Sequence, residues 1–324
     1  MRAPAALRTV ADAAARALAA AGVPAAGERV AVAVSGGADS LAALHALRTL
    51  AQPRGFELAV VTVDHGLRQA SVHDAAFVAA HAHELGLPVL VRHADRATLE
   101  RHLGDGPEGA ARAARYEALY TAADELGCRW LATGHTQDDQ AETVLLALLR
   151  GTGPDGLAGM ATLSGRLLRP LLGVRRAQTV ACCAALGLTP REDETNADER
   201  LLRNAVRRRV LPLLEELRPG ATVTLARGAA LARDERDWAE RAAAATLAEL
   251  RAAGAGVRVD AAGLAGLPLG LARRVVRAAA SEAGQRVPPA AAVDETLSMA
   301  AGASVRWPGG CAERHGDLLL WPAP

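Results

Sequence analysis

From residue 29 to about residue 150, short and nearly continuous apolar runs alternate with longer segments of helical period. The runs at 29–34, 58–63, 88–92 and 129–133 predict strands buried on both faces. The segments 39–50, 71–85, 108–126 and 137–149 predict helices, with Ser71 as an N-cap and Gly86 just past the end of its helix. Strand–helix units at this spacing predict an α/β fold, a doubly wound parallel sheet. Such sheets bind ligands beyond the carboxyl ends of their strands. Polar, glycine-containing clusters follow three of those ends, at 35–40, 64–68 and 134–139, so the topology predicts one site built from all three.

After Gly153 the pattern changes. An extended piece is expected at 168–172, a helix at 174–186, a polar acidic stretch at 189–198, and a helix at 199–217 crowded with Arg200, Arg203, Arg207, Arg208 and Arg209. Pro219-Gly220 breaks the chain and sets the expected boundary between a catalytic domain, 1–218, and a smaller, mainly helical α+β domain, 219–324. The latter reads as a long helix at 222–251, a strand at 257–259, helices at 269–283 and 290–299, and a terminal strand pair at 304–307 and 317–321. At the other end, 3–21 reads as an amphipathic helix rather than a secretory leader, because Asp12 and Arg16 interrupt it at helical spacing. No run approaches the ~18 apolar residues of a membrane span, so no membrane association is expected.

Composition alters this picture in two places. Half of the residues are hydrophobic but only 2% are aromatic, and the net charge of +1 by itself points to no polyanionic partner. The sharper feature is that all 37 basic residues are arginine. A chain without lysine has no Walker-type phosphate loop and no Schiff-base amine, so an amine nucleophile must come from a substrate. Four cysteines (Cys128, Cys182, Cys183, Cys311) form no C-x-x-C pair and read as reduced thiols, consistent with a cytoplasmic location.

Ser35-Gly36-Gly37-Ala38-Asp39-Ser40 joins a strand to a helix, where adjacent glycines and free N–H groups make a phosphate cradle. Its glycine spacing is not that of a dinucleotide fingerprint. A carboxylate beside phosphate is repelled unless a divalent cation intervenes, so Mg²⁺ is expected at Asp39. In the segment 135–143, Asp138, Asp139 and Glu142 crowd one helical turn. A solvated helix start, a metal that also engages Asp138, or a bound amine would each account for them. Arg112 and Arg115 share a helix face, and Arg203, Arg207 and Arg208 lie on a second basic segment. Without interleaved aromatics these arginines suit phosphate or nucleic-acid backbone rather than base stacking.

The loop resembles the SGGxDS loop of the N-type ATP pyrophosphatases, the PP-loop superfamily, which cleave ATP to AMP and pyrophosphate. Further stretches are similar to the tRNA(Ile)-lysidine synthetase family within it. They are Val63-Asp-His-Gly-Leu-Arg68, Ala111-Arg-Ala-Ala-Arg-Tyr116, Thr133-Gly-His-Thr-Gln-Asp-Asp-Gln-Ala-Glu-Thr143, the glycine-rich run from Arg150 to Met160, and the segment from Glu192 through Arg203-Asn-Ala-Val-Arg207 to Leu214. The resemblance covers 28–217. It implies that ATP adenylates the wobble cytidine of a CAU-anticodon tRNA(Ile) and that free L-lysine then replaces AMP. By the same resemblance, residues 35–40 hold ATP, Asp39 and Asp138 hold Mg²⁺, and Asp139 and Glu142 hold lysine. Arg203, Arg207 and Arg208 then contact tRNA, and Asp39, Arg112, Arg115, His135 and Arg207 form the catalytic set. A monomer or a homodimer is expected. The alternatives are a thiolase-type tRNA-modifying relative and a nucleotide sensor without ligase chemistry.

Overall fold

In the computed structural model, residues 3–64, 69–93, 106–191 and 200–323 are described. Residues 65–68 of the cluster expected at 64–68 and residues 192–198 of the acidic stretch expected at 189–198 lie outside them. The chain forms two compact units, Met1–Ala230 and Leu231–Pro324.

The first unit opens with α1 (Ala5–Ala21) and then alternates as expected: β1 (Arg29–Ala33), α2 (Ala38–Arg54), β2 (Glu57–Asp64), α3 (Gln69–Glu84), β3 (Val89–His93), α4 (Gly106–Glu125), β4 (Trp130–Thr133) and α5 (Gln137–Leu149). α3 begins two residues before Ser71, so Ser71 is not its N-cap. A single turn, α6 (Pro154–Leu157), and two short strands, β5 (Leu163–Ser164) and β6 (Leu167–Leu168), precede α7 (Arg176–Ala185). The sheet runs β3-β2-β1-β4-β6-β5, parallel except for the β5–β6 pair. β1 pairs with β2 on one side and β4 on the other, Ala31 lying opposite both Ala59 and Leu131. The strand order therefore reverses at β1, and a crevice opens beyond the ends of β1 and β4.

Burial explains why these strands read as apolar runs. Val30, Val32, Val60 and Ala132 pack with α1, α2 and Cys182–Cys183 of α7 on one face. Ala31, Val61 and Leu131 pack on the other with Leu119, Ala122 and Ala123 of α4. Successive side chains point to opposite faces, and both faces are covered. Each fully buried Leu such as Leu44 or Leu131 contributes roughly 1.5–3 kcal/mol by leaving water.

The single helix expected over 199–217 is instead α8 (Leu202–Ala205), a π-helical turn (Val206–Val210) and α9 (Leu211–Leu217). Pro212 accounts for the change: it has no N–H for the Arg208 carbonyl, and its ring pushes that carbonyl aside. α10 (Ala221–Leu250) follows and runs from the first unit into the second.

The second unit continues with β7 (Val257–Asp260), α11 (Ala261–Ala265), α12 (Leu269–Glu282), α13 (Ala290–Ser298), β8 (Ser304–Trp307), β9 (Gly310–His315) and β10 (Leu318–Trp321). Its sheet is antiparallel in the order β7-β10-β9-β8. The expected terminal pair, 304–307 with 317–321, is therefore not a pair: β9 lies between them. β9 reads Gly-Cys-Ala-Glu-Arg-His and buries only Ala312, which is too little apolar signal to mark a strand. α12 and the sheet enclose a separate core of Val259, Val275, Val276, Leu319 and Trp321.

Candidate functional site

The loop between β1 and α2 lies at the strand-order reversal. Gly36 adopts φ +84°, the left-handed region that a glycine occupies without strain. Gly37 is the N-cap of α2 and makes no side-chain cap, so first-turn N–H groups are presented at the loop. Ser40 braces the turn: its hydroxyl accepts from the Ser35 N–H at 3.1 Å and donates to the Gly37 carbonyl at 2.9 Å. Gly134, just after β4, is pressed against this loop. A Cβ there would lie 2.6 Å from the Asp39 carbonyl oxygen and 2.8 Å from the Ser40 nitrogen. The close approach brings the 134–139 segment beside the cradle, as expected from the strand ends.

Three carboxylates and three guanidinium groups meet there. Asp139 and Thr136 form a capping box at the start of α5: the Thr136 N–H and hydroxyl both donate to Asp139 Oδ2 at 2.8 Å. The other oxygen, Oδ1, faces Arg176 at 3.1 Å, Arg207 at 3.1 Å and Arg203 at 3.4 Å. Glu142, fully buried, accepts from Arg207 Nε at 2.6 Å and Arg203 Nε at 3.0 Å, with Arg176 at 3.6 Å. Asp39 accepts from Arg176 Nε at 3.0 Å on one oxygen and from the Thr179 hydroxyl on the other. Burial alone raises the Asp139 carboxyl, but Arg176, the Thr136 N–H and the other nearby cations outweigh it and hold it at about 2. Asp39 goes the other way: burial outweighs Arg176 and Thr179 and raises it above the usual carboxylate range.

A cavity of about 570 Å³ joins this cluster to the loop. Ser35, Asp39, Ser40, Asp139, Arg176, Arg203 and Arg207 line it, and Arg112, Arg115, Tyr116 and His135 form the rest of its polar wall. Arg112 and Arg115 both lie over the Tyr116 ring, 5.0 and 5.7 Å from its centre. Burial depresses the Arg115 guanidinium below its ordinary value. His135 Nδ1 is 2.8 Å from the Thr133 hydroxyl. Burial, reinforced by Arg169 and Arg112 against the pull of Asp139, lowers this imidazole to about 3, so it is neutral at physiological pH.

The expected residues therefore converge, but not all of them line the cavity. Glu142, fully buried, meets Arg203 and Arg207 and is not part of the wall. Asp138 does not line the cavity: its Oδ2 accepts from the Arg176 N–H at 2.8 Å and from Arg175 Nε at 3.3 Å, fastening the start of α7. Arg208 is exposed and lies off the cavity wall, while Arg203 and Arg207, four residues apart, face into it. Gly36, Gly37 and Ala38 shape the turn without forming the cavity wall. Sequence reasoning missed Arg176 and Thr179, because nothing in the helical pattern of α7 ties them to an aspartate 137 and 140 positions earlier. It also missed the Thr136 cap, although Thr-x-x-Asp before an apolar run is a helix-start signal.

The donor set fits a nucleotide triphosphate with a hard divalent cation. The loop and the α2 N-terminus offer N–H groups, the cavity offers arginine forks, and Asp39 offers one carboxylate whose burial cost a cation would relieve. Magnesium characteristically takes one or two carboxylates and completes its shell with phosphate and water. None of the four cysteines lines the cavity, and burial raises the thiols of Cys128, Cys182 and Cys183, which disfavours nucleophilic thiolate.

Residues 10–214 match the family described as PP-loop domain, and residues 260–320 match the one described as TilS substrate binding domain. The chain is 47% identical over 262 residues to the tRNA(Ile)-lysidine synthase of Salinispora arenicola (strain CNS-205), covering 79% of this chain and 77% of that one. It is 43% identical over 264 residues to the tRNA(Ile)-lysidine synthase of Thermobifida fusca (strain YX), covering 80% and 78%. Among solved structures, the U34-tRNA thiolase NcsA of Methanococcus maripaludis is similar in fold, with a TM-score of 0.58 at 20% identity over 69% of this chain and 78% of that one.

Proposed function

The chain belongs to the tRNA(Ile)-lysidine synthase family, and from that premise we propose that it ligates free L-lysine to C2 of the wobble cytidine of a CAU-anticodon tRNA(Ile), consuming ATP. One observation carries the reading: a single cavity lined by Asp139 and an arginine set reaches the pyrophosphatase-type loop, and Glu142 is buried against the same arginines. A sensor needs the loop alone.

In the first half-reaction the cytidine O2 attacks the α-phosphorus of ATP and pyrophosphate leaves. The loop N–H groups and Arg203 and Arg207 take up charge on the phosphates as it develops. Asp39 would hold Mg²⁺, which when bound would supply charge neutralisation for the departing pyrophosphate. Arg112 and Arg115, fixed by the Tyr116 ring, face the same cavity and steady the adenylated cytidine. In the second half-reaction the ε-amine forms the new bond to C2, the C2–O bond breaks, and AMP leaves with that oxygen. Asp139 and Glu142 hold the lysine ammonium. Their charge is already matched by arginine, so lysine enters as Arg203 and Arg207 turn toward phosphate. Neutral His135, on the same cavity wall, offers the amine a hydrogen-bond partner, and the proton that the amine sheds passes to solvent because burial leaves this imidazole too weak a base to keep it. Outside the cavity, Arg208 and the region 219–324 contact tRNA away from the reacting base. The reaction is that of a carbon–nitrogen ligase of the cytoplasm, and among the described residues no helix is long and apolar enough to cross a membrane.

The test is incorporation of labelled lysine into tRNA. Label enters a CAU-anticodon tRNA(Ile) transcript only with ATP present, and Asp39→Asn abolishes pyrophosphate release while the circular-dichroism spectrum is unchanged. ATP cleavage without lysine incorporation rejects the ligase reading. Wild-type turnover by Asp39→Asn rejects the metal role.

A further inference from the structure

Both oxygens of Asp39 are already taken, Oδ2 by Arg176 Nε at 3.0 Å and Oδ1 by the Thr179 hydroxyl. Both partners come from the first turn of α7, and Asp138 anchors that turn by accepting the Arg176 N–H. Among the described residues, Arg176 is the side chain that touches all three carboxylates of the cluster, Asp39, Asp139 and Glu142. Arg203 and Arg207 reach the last two.

We infer that Arg176 is a positioning residue that closes Asp39 to a free divalent cation and yields it only when the cation arrives with nucleotide phosphate, an inference that rests on the lysidine-synthase reading of the site.

The charges give the reason. Three carboxylates face three guanidinium groups, so the resting cluster is electrically balanced. A bare cation at Asp39 competes for a carboxylate whose two oxygens each already accept a hydrogen bond, and it adds two positive charges beside Arg176, in a partly buried setting where like charges repel strongly. A cation bound to a triphosphate brings more negative charge than positive. Arg176 then keeps Asp139 and Glu142 and gains phosphate in place of Asp39. The fork geometry matters because one planar guanidinium spans the separate carboxylates at once. Asp138 has a part in this even though it does not line the cavity: it fixes the helix turn that carries both Arg176 and Thr179. The consequence is ordered entry, with metal and nucleotide together and no metal-loaded resting enzyme.

The test uses the full chain without nucleotide and Mn²⁺ as the probe, followed by electron paramagnetic resonance. Wild type leaves the Mn²⁺ signal that of the free ion. Arg176→Gln binds Mn²⁺ at least about tenfold more tightly, and adding Asp39→Asn to that variant removes the gain. Thr179→Val keeps every charge and gives a smaller gain in the same direction, which covers the case in which Arg176→Gln does not fold. With ATP present the difference between wild type and variants shrinks, because nucleotide opens the gate. Equal Mn²⁺ affinity in wild type and variants overturns the inference, as does a gain that survives Asp39→Asn. Lysidine formation by wild type, assayed separately, judges the reading of the site: its failure rejects that reading and leaves the Mn²⁺ titration to judge the gate.

Discussion

His135 and Asp139 sit four residues apart on one loop and helix start, and both hold pKa values below their ordinary ones. For His135, burial keeps the imidazole neutral down to about 3 from a usual 6.5. Between those values the unfolded chain binds the proton and the folded chain does not. Stability is therefore fully present above pH 6.5 and falls as pH drops through that window. By pH 5 the loss from this residue is about 2 kcal/mol. His135→Gln flattens the pH dependence of unfolding free energy between pH 7 and pH 5, measured by denaturant titration; an unchanged slope contradicts a neutral buried imidazole. Asp139 acts in the same direction in a lower window, from 3.8 down to about 2. At this scale much of the site was legible. Asp39, Asp139, Glu142, Arg203 and Arg207 stand in local patterns whose charge needs explaining. Arg176 does not: its role exists only once a helix far along the chain folds against the loop.

The elements carry that folding. α8 and the π turn project Arg203 and Arg207 into the cavity and leave Arg208 exposed, and on the proposed function these neighbouring arginines divide between two tasks. Arg208→Ala then weakens tRNA binding and lowers the slope of log affinity against log salt by about 1, the release expected from one phosphate contact. Pyrophosphate release at saturating tRNA stays near wild type. Arg207→Ala removes a partner of buried Glu142 and reduces pyrophosphate release itself. Filter binding over a salt series and a pyrophosphate assay separate the two, and equal effects of both variants on release contradict this division. The π turn was hidden in the sequence because the arginine-rich segment keeps a helical period through it, and Pro212 marks the departure only after the fact. β5 was hidden and β6 met the extended piece expected at 168–172 only at Leu168: two residues each give no periodicity, and the pairing of β6 with β4 and of β5 with β6 makes them strands. Of the four longer parallel strands, β1, β2 and β4 were legible because cover on both faces forces continuous apolar runs, whereas β3, an edge strand with no buried residue, was legible from Val89-Leu90-Val91 alone.

For the whole molecule, the net charge of +1 conceals the distribution that matters, with arginines gathered at the cavity and along α8 to α9. The two units also keep separate cores. In the second, Trp321 on β10 is fully buried with Val259 and with Val275, Val276, Ala279 and Ala280 of α12. Trp321→Ala removes the more deeply buried of that core's two tryptophans and costs about 3–5 kcal/mol within that unit. A loss of that size in one core makes the second unit melt earlier while the first unit keeps its own transition. If the region after Pro219 serves tRNA, the variant raises the tRNA concentration needed for half-maximal lysine incorporation and leaves ATP affinity unchanged. Calorimetry follows the two transitions, and titration with a fluorescent ATP analogue follows the cavity. A matching loss of ATP affinity would contradict the division of labour, because among the described residues none of the second core lines the cavity.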